Sequence, residues 1–262
     1  MGPIFGWPVE PAIPNLGRVY GAKLADVYDL LYRARKDYPG EVRQLTALIR
    51  DRVPGAVSLL DVACGTGEHL LHLREEFDVA GIDLSESMLA HARRKLPGVP
   101  LHRADMRSFD LGRRFDVVCC LFSSIGYAAS ITELRTALVR MAAHLAPGGL
   151  LIVEPWLFPD TWRDNQVSHD VVEGGPVVVA RMSHSTRHGR TSRLEMHYLV
   201  GDGHGVRHFL DRHELSLFTR DEYADALDSA GCRAEWLPDG PSGRGLFVAS
   251  RRATDRRFRP TR

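Results

Sequence analysis

From position 22 the apolar residues of this chain recur at helical spacing, first through 22–33 and again through 38–52. The period then changes. Short apolar runs at 57–61, 78–83, 99–102, 115–121 and 149–154 read as strands. Helical patterns at 68–76, 86–95 and 130–145 lie between them. Strands alternating with helices predict a parallel sheet covered on both faces, so the fold class is α/β.

The alternation stops after Glu154-Pro155-Trp156. Strand-like pieces follow at 177–183, 191–200 and 206–218, separated by Gly/His/Asp turns. They predict an antiparallel β insertion. Its edge strands would be covered by a second copy of the chain, which predicts a homodimer. A capping box, Thr219-Arg-Asp-Glu222, restarts a helix that ends near Gly231, and strands at 233–237 and 245–250 complete the sheet. The expected division is a Pro-rich arm at 1–19, a core with an N-terminal helical lid at 20–155, the insertion at 156–218, completion of the core at 219–250, and a basic tail at 251–262.

Composition narrows the function. The chain has 262 residues, 44% of them hydrophobic, and a net charge of +1. That length and apolar content suit one large α/β unit with an insertion. Near-zero charge gives no electrostatic reason to expect nucleic acid or an anionic membrane as partner. Cys64, Cys119, Cys120 and Cys232 show no metal spacing. They read as reduced cysteines of a cytoplasmic protein, and adjacent Cys119 and Cys120 should face opposite ways on a strand.

The densest chemical signal is Asp61-Val-Ala-Cys-Gly-Thr-Gly67. An apolar strand ends in an acid, two glycines follow, and a helix starts. This is where α/β sheets hold nucleotide-like ligands, and the glycines would let the backbone approach one closely. A dinucleotide fingerprint would need a third glycine where Leu70 stands.

The spelling of this segment resembles motif I of the class I S-adenosylmethionine-dependent methyltransferases, and the order of the later elements is similar too. The resemblance implies a Rossmann-like sheet and S-adenosylmethionine as methyl donor. It implies donor contacts at Tyr28, Tyr38, Asp61, Ala63, Gly65, Gly67, Asp83, Leu84, Met88, Asp105, Met106 and Leu121. Asp83 would accept both ribose hydroxyls, and Asp105 with Met106 would hold the adenine.

A narrower resemblance runs from Tyr20 to Ser250. It is to the N,N-dimethyltransferases of dTDP-linked amino sugars, the desosamine and mycaminose type. Its strings include Ala104-Asp-Met-Arg107, Phe122-Ser-Ser-Ile-Gly-Tyr127, Val153-Glu-Pro-Trp156, Ser183-His-Ser185 and Pro241-Ser-Gly-Arg-Gly245. It implies a dTDP-linked amino-6-deoxyhexose as acceptor, methylated once and then again. Substrate contacts would come from Tyr20, Ser123, Ser124, Tyr127, Trp156, Arg181, Ser183 and Arg244. A guanidinium fork suits a diphosphate.

Transfer to a neutral amine is an in-line displacement that alignment alone can accelerate strongly. The polar groups expected near the reacting nitrogen are Tyr20, Tyr127, Glu154 and His184. Tyr127 reads as a positioning residue, because a tyrosine of ordinary acidity is a poor base. Glu154 would either attract the ammonium group or brace the following loop. Two further readings stay open: an O- or N-methyltransferase of another small molecule, and a non-catalytic regulator that binds the donor.

Overall fold

The computed structural model describes residues 22–251. The Pro-rich arm, Tyr20 and the basic tail lie outside the described residues. Two helices open the chain, α1 (Ala22–Arg33) and α2 (Tyr38–Arg52). The core then alternates through β1 (Ser58–Val62), α3 (Glu68–Leu73), β2 (Asp78–Asp83), α4 (Glu86–Lys95), β3 (Leu101–Arg103), β4 (Phe115–Cys120), α5 (Ile131–Ala143) and β5 (Leu145–Val153). Strands β6 (Gln166–Gly174), β7 (Val177–His188), β8 (Thr191–Asp202) and β9 (Gly205–Ser216) form the insertion. Helix α6 (Arg220–Ser229), β10 (Cys232–Leu237) and β11 (Leu246–Arg251) return to the core.

The core sheet has the order β10-β11-β5-β4-β1-β2-β3. β1 to β5 pair in parallel, and β11 runs antiparallel to both neighbours. Central strands are buried on both faces, so their sequences are continuously apolar. Leu60 and Val62 face α5 and α6, while Leu59 packs against α2 and α3. Cys120 and Cys119 divide between the same two faces, as adjacent strand residues must. All four cysteines are buried, and none forms a disulfide. Strand order reverses between β1 and β4, and ligands of such sheets bind outside the carboxyl ends of the strands at that reversal. Residues 63–67 and 121–123 occupy that place.

The insertion is a four-stranded antiparallel sheet, one strand more than the sequence pattern predicts. The extra strand is β6. It is an edge strand, mostly exposed, and its Gln-Val-Ser-His-Asp shows no apolar face that marks a strand. β5 also begins earlier than expected, at Leu145, because its first residues pair with Phe115 before an irregularity in the register.

Helix α1 is the seam between the two sheets. Its Leu24, Val27, Tyr28 and Leu31 pack with Met88 of α4 and with Val172, Val179, Tyr198 and Val200 of the insertion. A Cβ on Gly174 of β6 would lie 2.5 Å from Leu30, so the glycine is what lets strand and helix touch. Polar contacts fix the other side of α1. Asp29 accepts from Thr66 Oγ1 at 2.5 Å and from Lys95 Nζ at 2.6 Å, and Arg33 forks onto Glu68 at 2.8 and 2.9 Å. The glycine turn is thereby tied to α1. No helix among the described residues is long and apolar enough to cross a membrane.

Candidate active site

The turn after β1 reverses direction through three left-handed residues, Ala63 (φ 63°), Gly65 (φ 56°) and Gly67 (φ 78°). A non-glycine residue in that region is strained, and such strain concentrates at functional sites. The two glycines do different work. A Cβ on Gly65 would meet nothing within 4 Å and would project into open space at the cleft. One on Gly67 would lie 2.6 Å from Leu96 and 3.3 Å from Ala92. Gly67, expected as a ligand contact, lets the turn pack onto α4 and is not among the residues lining the cleft.

The cleft over this turn has a volume of about 880 Å³. Tyr28, Tyr38, Asp61, Ala63, Gly65, Asp83, Leu84, Met88, Met106, Leu121, Ser124 and Tyr127 line it. A smaller recess beside it brings Ala104, Asp105 and Met106 together with Ala63 and Leu84. Asp83 Oδ2 accepts from the Gly65 N–H and Oδ1 from the Ser85 N–H, both at 2.8 Å. Each carboxylate oxygen has a second lone pair, so two hydroxyls can still be bound. Burial pushes this carboxyl up, and the backbone N–H groups of Ser85, Gly65 and Leu84 pull against that. Asp105 is held below the usual carboxylate range by hydrogen bonds from Arg107, which also reaches Glu133 at 2.7 Å. Asp61 is 2% exposed, and burial pushes its carboxyl up to about 7. These features fit a nucleoside carrying a positively charged tail: a bare glycine turn, ribose-spaced acceptors and a buried acid.

A second, larger cleft adjoins the first and shares Phe122 and Tyr127 with it. Its walls come from α1, α2, the insertion sheet and the 241–244 loop. Ser123, Trp156, Arg181, Ser183 and Arg244 all line it. Ser124 lies on the donor side instead. Arg181 is 5% exposed; it pairs with Asp170 and donates to Tyr32 Oη at 3.3 Å. Its buried Nε has no hydrogen-bond partner among the described residues. An orphaned guanidinium N–H facing a cleft suits an anionic ligand. Arg244 sits 5.6 Å from the Phe122 ring and 5.3 Å from the Trp156 ring.

Two expected reaction-site residues are placed elsewhere. Glu154 is 4% exposed and lines neither cleft. Its Oε2 accepts from the Phe122 N–H at 2.8 Å, its Oε1 accepts from Ser242 Oγ, and Arg244 stands 3.6 Å away. It braces two loops. His184 is exposed, because Val179, Arg181 and Ser183 take the inward face of β7 and position 184 falls on the other. The structure also brings in residues that the sequence did not single out. Lys36 Nζ lies 2.9 Å from Glu41 and 4.0 Å from the Phe122 ring centre. His213, 3% exposed, meets Tyr127 across the second cleft. The available signal for His213 was its register, since it shares a strand face with Leu215.

Residues 59–149 match the family described as a methyltransferase domain. The dTDP-3-amino-3,4,6-trideoxy-alpha-D-glucopyranose N,N-dimethyltransferase of Streptomyces venezuelae is 53% identical over 88% of this chain and 98% of that protein. The chain belongs to the dTDP-amino-sugar N,N-dimethyltransferases. Another member of this family, the dTDP-4-amino-2,3,4,6-tetradeoxy-D-glucose N,N-dimethyltransferase of Saccharopolyspora spinosa, is 48% identical over 93% of this chain and 98% of its own length. The S-adenosylmethionine-bound structure of CalS10, an amino pentose methyltransferase from Micromonospora echinaspora, superposes with a TM-score of 0.80 at 46% identity. That alignment covers 86% of this chain and 97% of CalS10. The fold is that of a class I methyltransferase, and the methyl donor of the family is S-adenosylmethionine.

The raised Asp61 carboxyl has a cost in the ligand-free fold. Unfolded, the group ionises near 4; folded, near 7. The unfolded chain therefore releases the proton first, and stability falls as pH rises through that window. Asp61→Asn should raise Tm by a few degrees at pH 8, about 1 kcal/mol being worth 2–4 °C in a chain of this size. The gain should vanish near pH 4. Calorimetry of the two proteins at both pH values measures it, and titration with S-adenosylmethionine at pH 8 should show affinity reduced on the order of tenfold.

Proposed function

We propose that this enzyme methylates the amine of a dTDP-linked amino-6-deoxyhexose twice, with S-adenosylmethionine as donor. The observation that carries the reading is the meeting of the two clefts. A donor seated over the glycine turn and an acceptor seated among Arg181, Arg244 and Lys36 would touch at Phe122 and Tyr127. Nitrogen, methyl carbon and sulfur can then be brought into line, which is the largest contribution such a displacement needs. The donor supplies a methyl group on a positively charged sulfur. The chain's own residues hold the two partners, and the aromatic walls exclude water. Arg181 and Arg244 would bind the diphosphate, with Ser123 and Ser183 nearby for the nucleotide and sugar. Relatives named for 3-amino and for 4-amino sugars are similar at 53% and 48% identity, so both isomers belong in the test. In this reading residues 20–155 and 219–250 bind the donor and 156–218 select the acceptor. Four buried cysteines in the reduced form support a cytoplasmic setting.

The test mixes enzyme, S-adenosylmethionine and either dTDP-3-amino-3,6-dideoxyglucose or its 4-amino isomer, and follows mass. Gain of one and then two methyl units on one isomer is expected. Turnover of neither, with donor still bound, would favour the regulator reading or another acceptor.

The insertion also supports a homodimer. Alternation along its strands puts Val167, Val171, Val178, Met182, Leu199 and Val206 on one outer face, each 41–73% exposed. A sheet face this apolar gains by covering itself with a copy. Sedimentation should give twice the chain mass, and Met182→Asp should shift it towards one.

A further inference from the structure

The contact between Tyr127 and His213 changes what the tyrosine can do. Tyr127 stands at the junction of the two clefts. Its Oη lies 2.6 Å from Nδ1 of His213. On the far side of the ring, Nε2 is 3.4 Å from Oδ2 of Asp211. His213 is 3% exposed, and the Asp211 side chain is 12% exposed. The contact with Asp211 is one of charge and not a hydrogen bond, and a carboxylate on that side favours the tautomer with its proton on Nε2, which leaves Nδ1 to accept from the phenol.

We propose that Tyr127, His213 and Asp211 form a proton relay that clears the product ammonium between the two methylations. The inference rests on the amine-methylating reading above. In the first transfer the nitrogen lone pair forms the new N–C bond as the C–S bond breaks, and the S–C electron pair stays on sulfur. The nitrogen is now a secondary ammonium with no lone pair. A second transfer needs one N–H proton removed. That proton passes to Tyr127 Oη while the phenolic proton passes to His213 Nδ1. The phenol is unchanged overall, and the imidazole becomes an imidazolium. The imidazolium then returns its proton to solvent. A tyrosine that is a poor base alone needs no change of acidity to act as a conduit.

Charged groups surround this pair. Tyr127 reaches His213 from the turn at 124–127, and β8 places apolar Leu194 opposite it. The cleft it faces also holds Tyr32, Arg35, Lys36, Asp37, Glu41, Arg181 and Arg244. Four of those seven are cations, Lys36 standing against Glu41, Arg35 and Arg181 against Asp170 and Arg244 against Glu154, and Asp211 is the anion beside Nε2. The other histidine of the insertion sheet expected at the reaction, His184, faces the opposite side of that sheet.

The experiment compares wild type, His213→Gln and Tyr127→Phe, following mono- and dimethylated product separately from pH 6.5 to 9.5. The relay predicts that both variants lose the second methylation at pH 7 far more than the first. Dimethylation should fall roughly a hundredfold there. It should recover towards the wild-type rate at pH 9.5, where solvent removes the proton. Tyr127→Phe keeps the buried imidazole, so it separates the relay from a packing defect at His213. Equal loss at every pH, or no loss in either variant, would overturn the relay while leaving the methylation reading intact. A wild type that methylates neither isomer would overturn that reading and the relay with it.

Discussion

One buried carboxylate holds the two halves of the site against each other. Glu154 leaves the end of β5, anchored by its own N–H on Cys120. It accepts from the backbone of Phe122 and from Ser242, two segments that share no secondary structure. Phe122 and Ser123 are both left-handed, with φ of 52° and 64°. Each such residue costs on the order of 1–3 kcal/mol unless its surroundings hold it. Glu154 holds the first, and the Pro155 carbonyl, accepting from Ser123 Oγ at 2.7 Å, holds the second. This bend turns the chain out of β4 and delivers Tyr127 to the junction of the clefts. An unpaired carboxylate at that depth would be costly, so the bend and the acid stabilise one another.

The same logic organises the larger architecture. A parallel sheet provides a crevice at its order reversal but few walls. Here the walls come from α1, which packs on the core and on the insertion together, and from one face of the antiparallel sheet. The ion pairs of Asp29 and Glu68 tie α1 to the glycine turn. The glycine turn and α1 are therefore one connected unit. The acceptor side is walled by residues from opposite ends of the chain, Tyr32 and Arg35 on one side, Ser242 and Arg244 on the other.

That difference explains what could be read from the residues. The donor site starts locally, with a strand, a turn and a helix start within about ten positions that made Asp61 and Gly65 legible directly, while Asp83 at the end of the next strand came from the family resemblance. Gly67 was legible as a glycine but not as a packing glycine, because Leu96 is distant in sequence. The acceptor side depends on strand parity. β7 opens with apolar residues on both faces, Val177-Val-Val-Ala, and this hides which alternate set points inward. His184 was therefore a candidate and proves to face out. His213 sits in a strand whose Leu215 marks the inward face, yet nothing local connects it to Tyr127. β6 escaped notice because an exposed edge strand needs no apolar stripe. The resemblance to sugar N-methyltransferases supplied the acceptor class that spacing alone could not.

The central claim is that methyl transfer takes place where the two clefts meet, at Tyr127. It is tested most directly by a crystal structure with S-adenosylhomocysteine and the dTDP-amino sugar bound together. The account predicts the sugar amine within hydrogen-bond reach of Tyr127 Oη, the diphosphate on Arg181 and Arg244, and the sulfur in line beyond the nitrogen. A sugar bound with its amine facing away from Tyr127, or a diphosphate held elsewhere, would contradict it.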